Sequence, residues 1–190
     1  VLTLIARIYE SHAMFSDAER IYLSAEQLWK SPNAPPMPEV TIAIQNNLAT
    51  VEQKLGKYQE AIDAFKKAIE ATRLAKNKLL EAQINNNLGS LYLELQSSAL
   101  AEEYLSRAEN LYEKAETSYP GWATMRLNQG LLAASNKDWS RSESYLQESL
   151  DLREKHAPSQ VYIVFHAFGY VKDLQGKTDE ALDYYNKALP

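Results

Sequence analysis

The sequence predicts an all-α protein, a right-handed superhelical solenoid of about five helix-turn-helix repeats. Three observations predict it. Ala, Leu, Glu, Lys and Gln dominate long stretches in which apolar residues recur every three or four positions, the period of a helix with one buried stripe. Gly and Pro are sparse, at 6 and 7 of 190 residues. The third is self-similarity: the small residues Ala6, Ala49, Gly89, Gly130 and Gly169 stand 43, 40, 41 and 39 positions apart, and three further series keep the same irregular intervals. These are Ala18, Ala61, Ala101, Ser142 and Ala181; the bulky set Tyr22, Phe65, Leu105, Leu146 and Tyr185; and Ala25, Ala68, Ala108, Ser149 and Ala188. Every insertion therefore falls between units and none inside one.

The units run approximately over residues 1–31, 39–78, 80–118, 122–157 and 160–190 of one continuous domain. Within each, the first small residue precedes the second by 12 positions with a turn between them, so each unit is two helices. In the first unit, Ser16 with Glu19 fits a capping box that opens the second helix. Gly56 and Gly176 mark the turn in two others. Breaks at Ser31 to Pro38, at Tyr119-Pro120-Gly121 and at Ala157-Pro158-Ser159 separate units, with proline where helices must end. Small side chains let helix axes approach, and the bulky series fills the adjoining groove. A hairpin alone cannot bury both of its faces, so the units must stack. Neither end carries the polar cap that closes such a stack, which predicts a segment of a longer array or a larger protein.

The spacing Leu88-Gly89-x-x-Tyr92, followed by Ala101-x-x-x-Leu105 and Ala108, resembles the tetratricopeptide repeat, with Phe65 and Tyr185 supplying the aromatic variant. The resemblance covers essentially the whole chain. The units are longer than the usual repeat of about 34 residues and lack its proline at the end of the second helix. Their length and the Asn-Asn-Leu ahead of the small residue are similar to the extended repeats of kinesin light chains and of spindle-orienting Leu-Gly-Asn repeat adaptors. The resemblance implies a concave groove lined by first helices, which binds a protein or peptide and performs no catalysis.

At 100° per residue, Leu48, Val51 or Glu52, and Leu55 point toward the partner helix, and Ala43, Asn46, Asn47, Thr50, Gln53 and Lys54 point toward the groove. The equivalent groove set is Gln83, Asn86, Asn87, Ser90, Leu93 and Glu94 in the third unit and Thr124, Leu127, Asn128, Leu131, Ala134 and Ser135 in the fourth. The fifth supplies Ile163, His166, Ala167, Tyr170, Asp173 and Leu174; the first supplies Thr3, Arg7, Glu10 and Ser11. Asn47, Asn87 and Asn128 share one slot, and Asn46 with Asn86 form a second row. Asparagine inside a helix costs roughly 0.5 kcal/mol or more relative to alanine, so something should offset it. A carboxamide both donates and accepts. The row either holds the backbone of an extended peptide, as similarly placed asparagines do in kinesin-light-chain-like repeats, or bonds the neighbouring helix and orders the stack. Arg7, Leu127, Leu131, His166 and Tyr170 would then select among ligands, the groove turning apolar toward its C-terminal half.

Other functions are set aside on chemistry. A net charge of -5 gives a nucleic-acid backbone no broad basic surface. The longest apolar run, Val161 to Phe165, is too short for a span of about 20 residues, so no membrane insertion is expected. The chain has no cysteine, which removes thiolate chemistry and leaves cytosol or periplasm open; a cytoplasmic location is the expectation. His12, His156 and His166 are too dispersed for common zinc motifs. Gln175-Gly176-Lys177-Thr178 lacks the earlier glycine of a phosphate loop, since that position is Val171. No cofactor, metal or catalytic residue is expected. The grip of some tetratricopeptide domains on the carboxylate of heat-shock chaperones is excluded too, because of its slots only Asn47 matches. Two rivals stand beside a peptide-binding scaffold: a regulatory peptide-sensing module of a larger signalling protein or enzyme, and a scaffold that self-associates through its uncapped ends.

Overall fold

A computed structural model describes residues 1–29, 37–113 and 119–189. Among these, ten α-helices and one short 3-10 turn appear, and no strand: α1 (Leu2–Ser11), α2 (Phe15–Trp29), α3 (Pro38–Lys54), α4 (Tyr58–Leu74), α5 (Lys78–Glu94), α6 (Ser98–Glu113), α7 (Tyr119–Ser135), α8 (Trp139–His156), α9 (Val161–Leu174) and α10 (Thr178–Ala188), the 3-10 turn spanning Pro158–Gln160. The fold class is the all-α repeat expected from the sequence.

Five first helices end in the same way. Ala13, Gly56, Gln96, Lys137 and Gly176 all adopt left-handed backbone, with φ of 56°, 73°, 55°, 59° and 74°. They occupy one register, since their spacings repeat those of the small-residue series. At Lys137 the N–H donates to Ala134 O at 2.9 Å and the next N–H, of Asp138, reaches back to Ala133 O at 2.9 Å. The same pair of bonds recurs at the other four turns, so each first helix closes in a Schellman motif. This geometry fixes the length of the hairpin turn and keeps the small and bulky series opposite each other. Glycine marks only two of the five turns, and the others hold an L-residue in a conformation it rarely adopts.

The small series are buried as predicted, except that Ala188 in the last helix is half-buried. Ala6, Ala18, Ala49, Ala61, Ala101 and Ser142 are all 0% exposed, and Tyr22, Phe65, Leu105 and Leu146 are at most 1% exposed. Chain contacts divide the molecule into two compact units, Val1–Leu91 and Tyr92–Pro190, the division falling within α5. In the first unit α1 packs on α2 and α3 on α4, with α3 returning against α2 and α1; Ala6, Ala18, Tyr22, Leu48 and Val51 form its core around α1 to α3. In the second, α7 packs on α8 and α9 on α10, with α9 against α8 and α7. Leu127, Leu146, Leu150, Val164, Phe168 and Val171 are central to its core.

Two local expectations need correction. Ser16 lies inside α2, which opens one residue earlier at Phe15, and the Glu19 carboxylate takes Lys57 Nζ at 2.7 Å, so the capping box does not form. The left-handed residue at Ala13 sets where α2 begins. Likewise Tyr119-Pro120-Gly121 is the first turn of α7 and not a break; proline is tolerated there because a first-turn N–H has no intrahelical acceptor. Ala157-Pro158-Ser159 does separate α8 from α9. The proline-rich break from Ser31 to Pro36 lies outside the described residues, and Pro38 opens α3.

Candidate functional site

In the first unit the asparagines join a polar chain. Asn87 Nδ2 on α5 donates to Asn46 Oδ1 on α3 at 3.2 Å, and Asn46 Nδ2 donates to Asn47 Oδ1 at 3.2 Å. Asn47 also lies near the Tyr22 phenol of α2, whose pKa it lowers. The Tyr22 hydroxyl in turn donates to Glu10 Oε1 on α1. Burial and the adjacent Glu10 carboxylate hold the Tyr22 phenol above its ordinary titration range. The sequence cost of asparagine is thus offset by hydrogen bonds that join α3 and α5. Thr50 Oγ1 donates to the Asn46 carbonyl at 3.0 Å. Asn46, Asn47, Thr50, Asn87 and Ser90 are half-buried, Asn86 is 3% exposed, and Arg7 is exposed. The adjacent Asn85 is buried as well, its Nδ2 donating to Glu81 O at 2.7 Å.

In the second unit the predicted positions divide by burial. Leu127 belongs to the core, with Leu131 and Ile163 packed against it. Asn128 is 6% exposed. His166 is exposed and tilts against the Tyr185 ring of α10, centroids 5.3 Å apart. Tyr170 is 47% exposed and Leu174 46%.

Tyr170 and Leu174 line an open cleft of about 580 Å³, together with Leu93, Glu94, Gln96, Ser98, Ala134, Ser135, Lys137 and Trp139. The cleft collects the C-terminal ends of α5, α7 and α9, at the turn side of three successive hairpins. Its walls mix aromatic and aliphatic surface with hydroxyls: Ser135 Oγ donates to Leu132 O at 2.8 Å and lies 3.5 Å from Ser98 Oγ. Glu94 and Lys137 add one charge of each sign. Leu93, Glu94, Ala134, Ser135, Tyr170 and Leu174 follow from helical geometry applied to the sequence. Gln96, Ser98, Lys137 and Trp139 do not, because they sit in turns and second-helix starts. Extending the repeat intervals to the turn residues, where Gln96 and Lys137 are equivalent, would have found two of them.

Among the described residues, no helix is long and apolar enough to cross a membrane, and no group of three or more acidic or histidine side chains could hold a metal ion.

Comparison with known proteins agrees with this architecture. Residues 40–114 match the tetratricopeptide repeat family profile. No curated protein sequence matches the chain. Among solved structures, BtubC (BKLC) from P. vanneervenii is similar with a TM-score of 0.77 at 20% identity, over 98% of this chain and 76% of that one. A kinesin light chain-type protein of Podosopora anserina with nearly identical TPR-like repeats gives 0.71 at 15% identity, over 98% and 91%. A Rap protein solved in complex with Competence and Sporulation Factor gives 0.75 at 16% identity, over 90% of this chain and 46% of that one. The chain therefore carries tetratricopeptide repeats in sequence over residues 40–114 and has the fold of tetratricopeptide repeat proteins, kinesin light chain-like ones among them, over nearly its whole length.

Proposed function

We propose that the chain is a non-catalytic scaffold that binds a peptide or protein segment through residues of its first helices, in a cytoplasmic setting. The observation that carries this reading is the second-unit cleft, where Tyr170, Leu174, Trp139 and Leu93 meet serine hydroxyls and a charge of each sign. Concave surfaces that mix apolar walls with a few polar groups suit side-chain recognition. In support, a structural neighbour was solved with Competence and Sporulation Factor bound. Asn46, Asn47 and Asn87, with Thr50 and Ser90, offer a half-buried polar strip in the first unit whose remaining lone pairs suit an extended backbone. Arg7 and His166 add exposed selectivity contacts. Asn86, Leu127 and Asn128 serve from beneath, holding the exposed residues in place.

Peptides selected from a random library on the intact chain test the proposal by fluorescence anisotropy. Tyr170→Ala and Leu174→Ala should weaken peptides bound at the cleft about tenfold, and Asn47→Ala with Asn87→Ala should do the same for peptides bound at the strip, with far-UV circular dichroism unchanged. Selected peptides indifferent to every one of these changes would refute it.

A second reading rests on a different observation. Leu4, Ile5 and Ile8 on α1 are 61%, 38% and 59% exposed, an apolar stripe of the kind that marks association. Mass measured by light scattering across a concentration series distinguishes self-association from a monomeric receptor.

A further inference from the structure

Arg153, in the last turn of α8, is 5% exposed, yet its guanidinium meets only neutral oxygens. One terminal nitrogen donates to Gln160 Oε1 at 2.8 Å and the other to Thr124 Oγ1 at 3.2 Å. Its Nε is buried without a partner. The other well-buried cations of this unit are treated differently: Arg126 pairs with Glu109 at 2.7 Å and Glu148 at 2.8 Å, and Lys172 with Glu143 at 2.7 Å and Glu180 at 3.1 Å. Arg153 has no carboxylate partner among the described residues. Burial lowers its pKa, but a guanidinium stays protonated. A buried charge facing only neutral dipoles is a costly arrangement unless an anion completes it.

The surroundings favour an anion. Gln160, whose amide oxygen holds the guanidinium, is the residue that opens α9, and the first turn of that helix has no acidic residue and no side-chain cap to oppose its positive end. Thr124 comes from the first helix α7, which also lacks an acid in its first turn. We propose that Arg153, Thr124 and the first turn of α9 form a carboxylate subsite for an acidic side chain or chain end of the bound protein segment. Gln160 is exposed, and its amide oxygen holds the place that a carboxylate oxygen would take. Swinging that side chain out opens the guanidinium to a charge-assisted, two-point contact. This rests on the protein-binding reading, and it adds an acidic feature to the ligand.

Thermal unfolding in acetate against chloride, at constant ionic strength, tests the subsite without any peptide. Acetate should raise the wild-type midpoint by at least 2 °C, Arg153→Met should abolish that rise while keeping a cooperative transition in chloride, and Thr124→Val should reduce it. If Arg153→Met does not fold, Arg153→Lys takes its place and should lose most of the rise, because it keeps the charge without the two-point geometry. An equal acetate response in wild type and variant, or none in either because buried water alone satisfies the guanidinium, overturns the subsite. Library-selected peptides give an independent arm: their affinity should fall at least tenfold when the acidic residue becomes its amide or the C-terminus is amidated, and Arg153→Met should erase that dependence. Peptides that bind well yet ignore Arg153→Met overturn the subsite and leave the protein-binding reading standing.

Discussion

Gly130 on α7 lies so close to Leu146 on α8 that a Cβ on the glycine would stand 2.8 Å from the leucine side chain and 3.2 Å from the Ser142 carbonyl oxygen. The two belong to the small and bulky series of one repeat, and Gly169 meets Tyr185 in the same way, at 2.6 Å. The leucine could shift by rotation, but the Ser142 backbone cannot. Gly130→Ala should therefore destabilise the chain by up to about 2 kcal/mol, overpacking of about 1–3 kcal/mol outweighing the roughly 1 kcal/mol gained in helix propensity. Urea denaturation measures it; a stabilised variant would mean that the hairpin is looser than this packing requires.

The Schellman turns make an opposite prediction. Ala13 sits at φ 56° with its side chain exposed, so its methyl group brings strain and little packing. Ala13→Gly should stabilise by about 0.5–1 kcal/mol, the relief of left-handed strain outweighing the extra freedom of glycine in the unfolded chain. The reverse change, Gly56→Ala, should lower stability by about 1 kcal/mol. Paired melting curves of the two variants, moving in opposite directions, would confirm that both residues hold one turn geometry.

What the sequence made legible was whatever repeats. Small residues at Ala49, Gly89 and Gly130 and bulky ones at Phe65, Leu105 and Leu146 recur because each hairpin must solve the same close-packing problem, and burial followed from spacing alone. The ends of elements were less legible. Ser16 and Glu19 satisfy a local pattern, but the register of the preceding turn and a distant Lys57 decide their roles. For the site, helical angle separated exposed from buried positions well at Tyr170 and Leu174 and poorly at Leu127 and Asn128. An angle locates a residue around its own helix, whereas α9 packs against α7 and covers part of that face. Arg153 was illegible because its isolation depends on three elements that meet only in the folded chain.

Asn46 is the hinge of the polar chain, accepting from Asn87 and donating to Asn47. Asn46→Ala breaks both bonds and leaves two half-buried amides short of a partner. The expected loss is about 1–2 kcal/mol. If the asparagines order the first unit as a connected network, a double-mutant cycle with Asn87→Ala should show a coupling of about 0.5–1 kcal/mol. Strict additivity would mean that the two carboxamides act separately and are free for other partners.

Glu52 occupies, in the second repeat, the slot that Lys172 fills in the fifth, but the lysine is paired and the glutamate is 6% exposed with a buried, partnerless Oε2. Burial first, and then the nearby Glu19 and Glu60 carboxylates, raise its pKa to about 7, with Lys57 and Lys67 opposing. The unfolded chain ionises this residue near 4.5, so between that value and about 7 the native state binds more protons than the unfolded one. Stability contributed here is therefore present at acid pH and lost as pH rises through 7. Glu52→Gln, which keeps the shape and removes the titration, should be more stable than wild type at pH 8 by on the order of 2 kcal/mol, with the gap closing by pH 5. Melting the two proteins side by side from pH 5 to 8 checks the sign directly, and a gap that is constant with pH would show that Glu52 remains ionised in the folded chain.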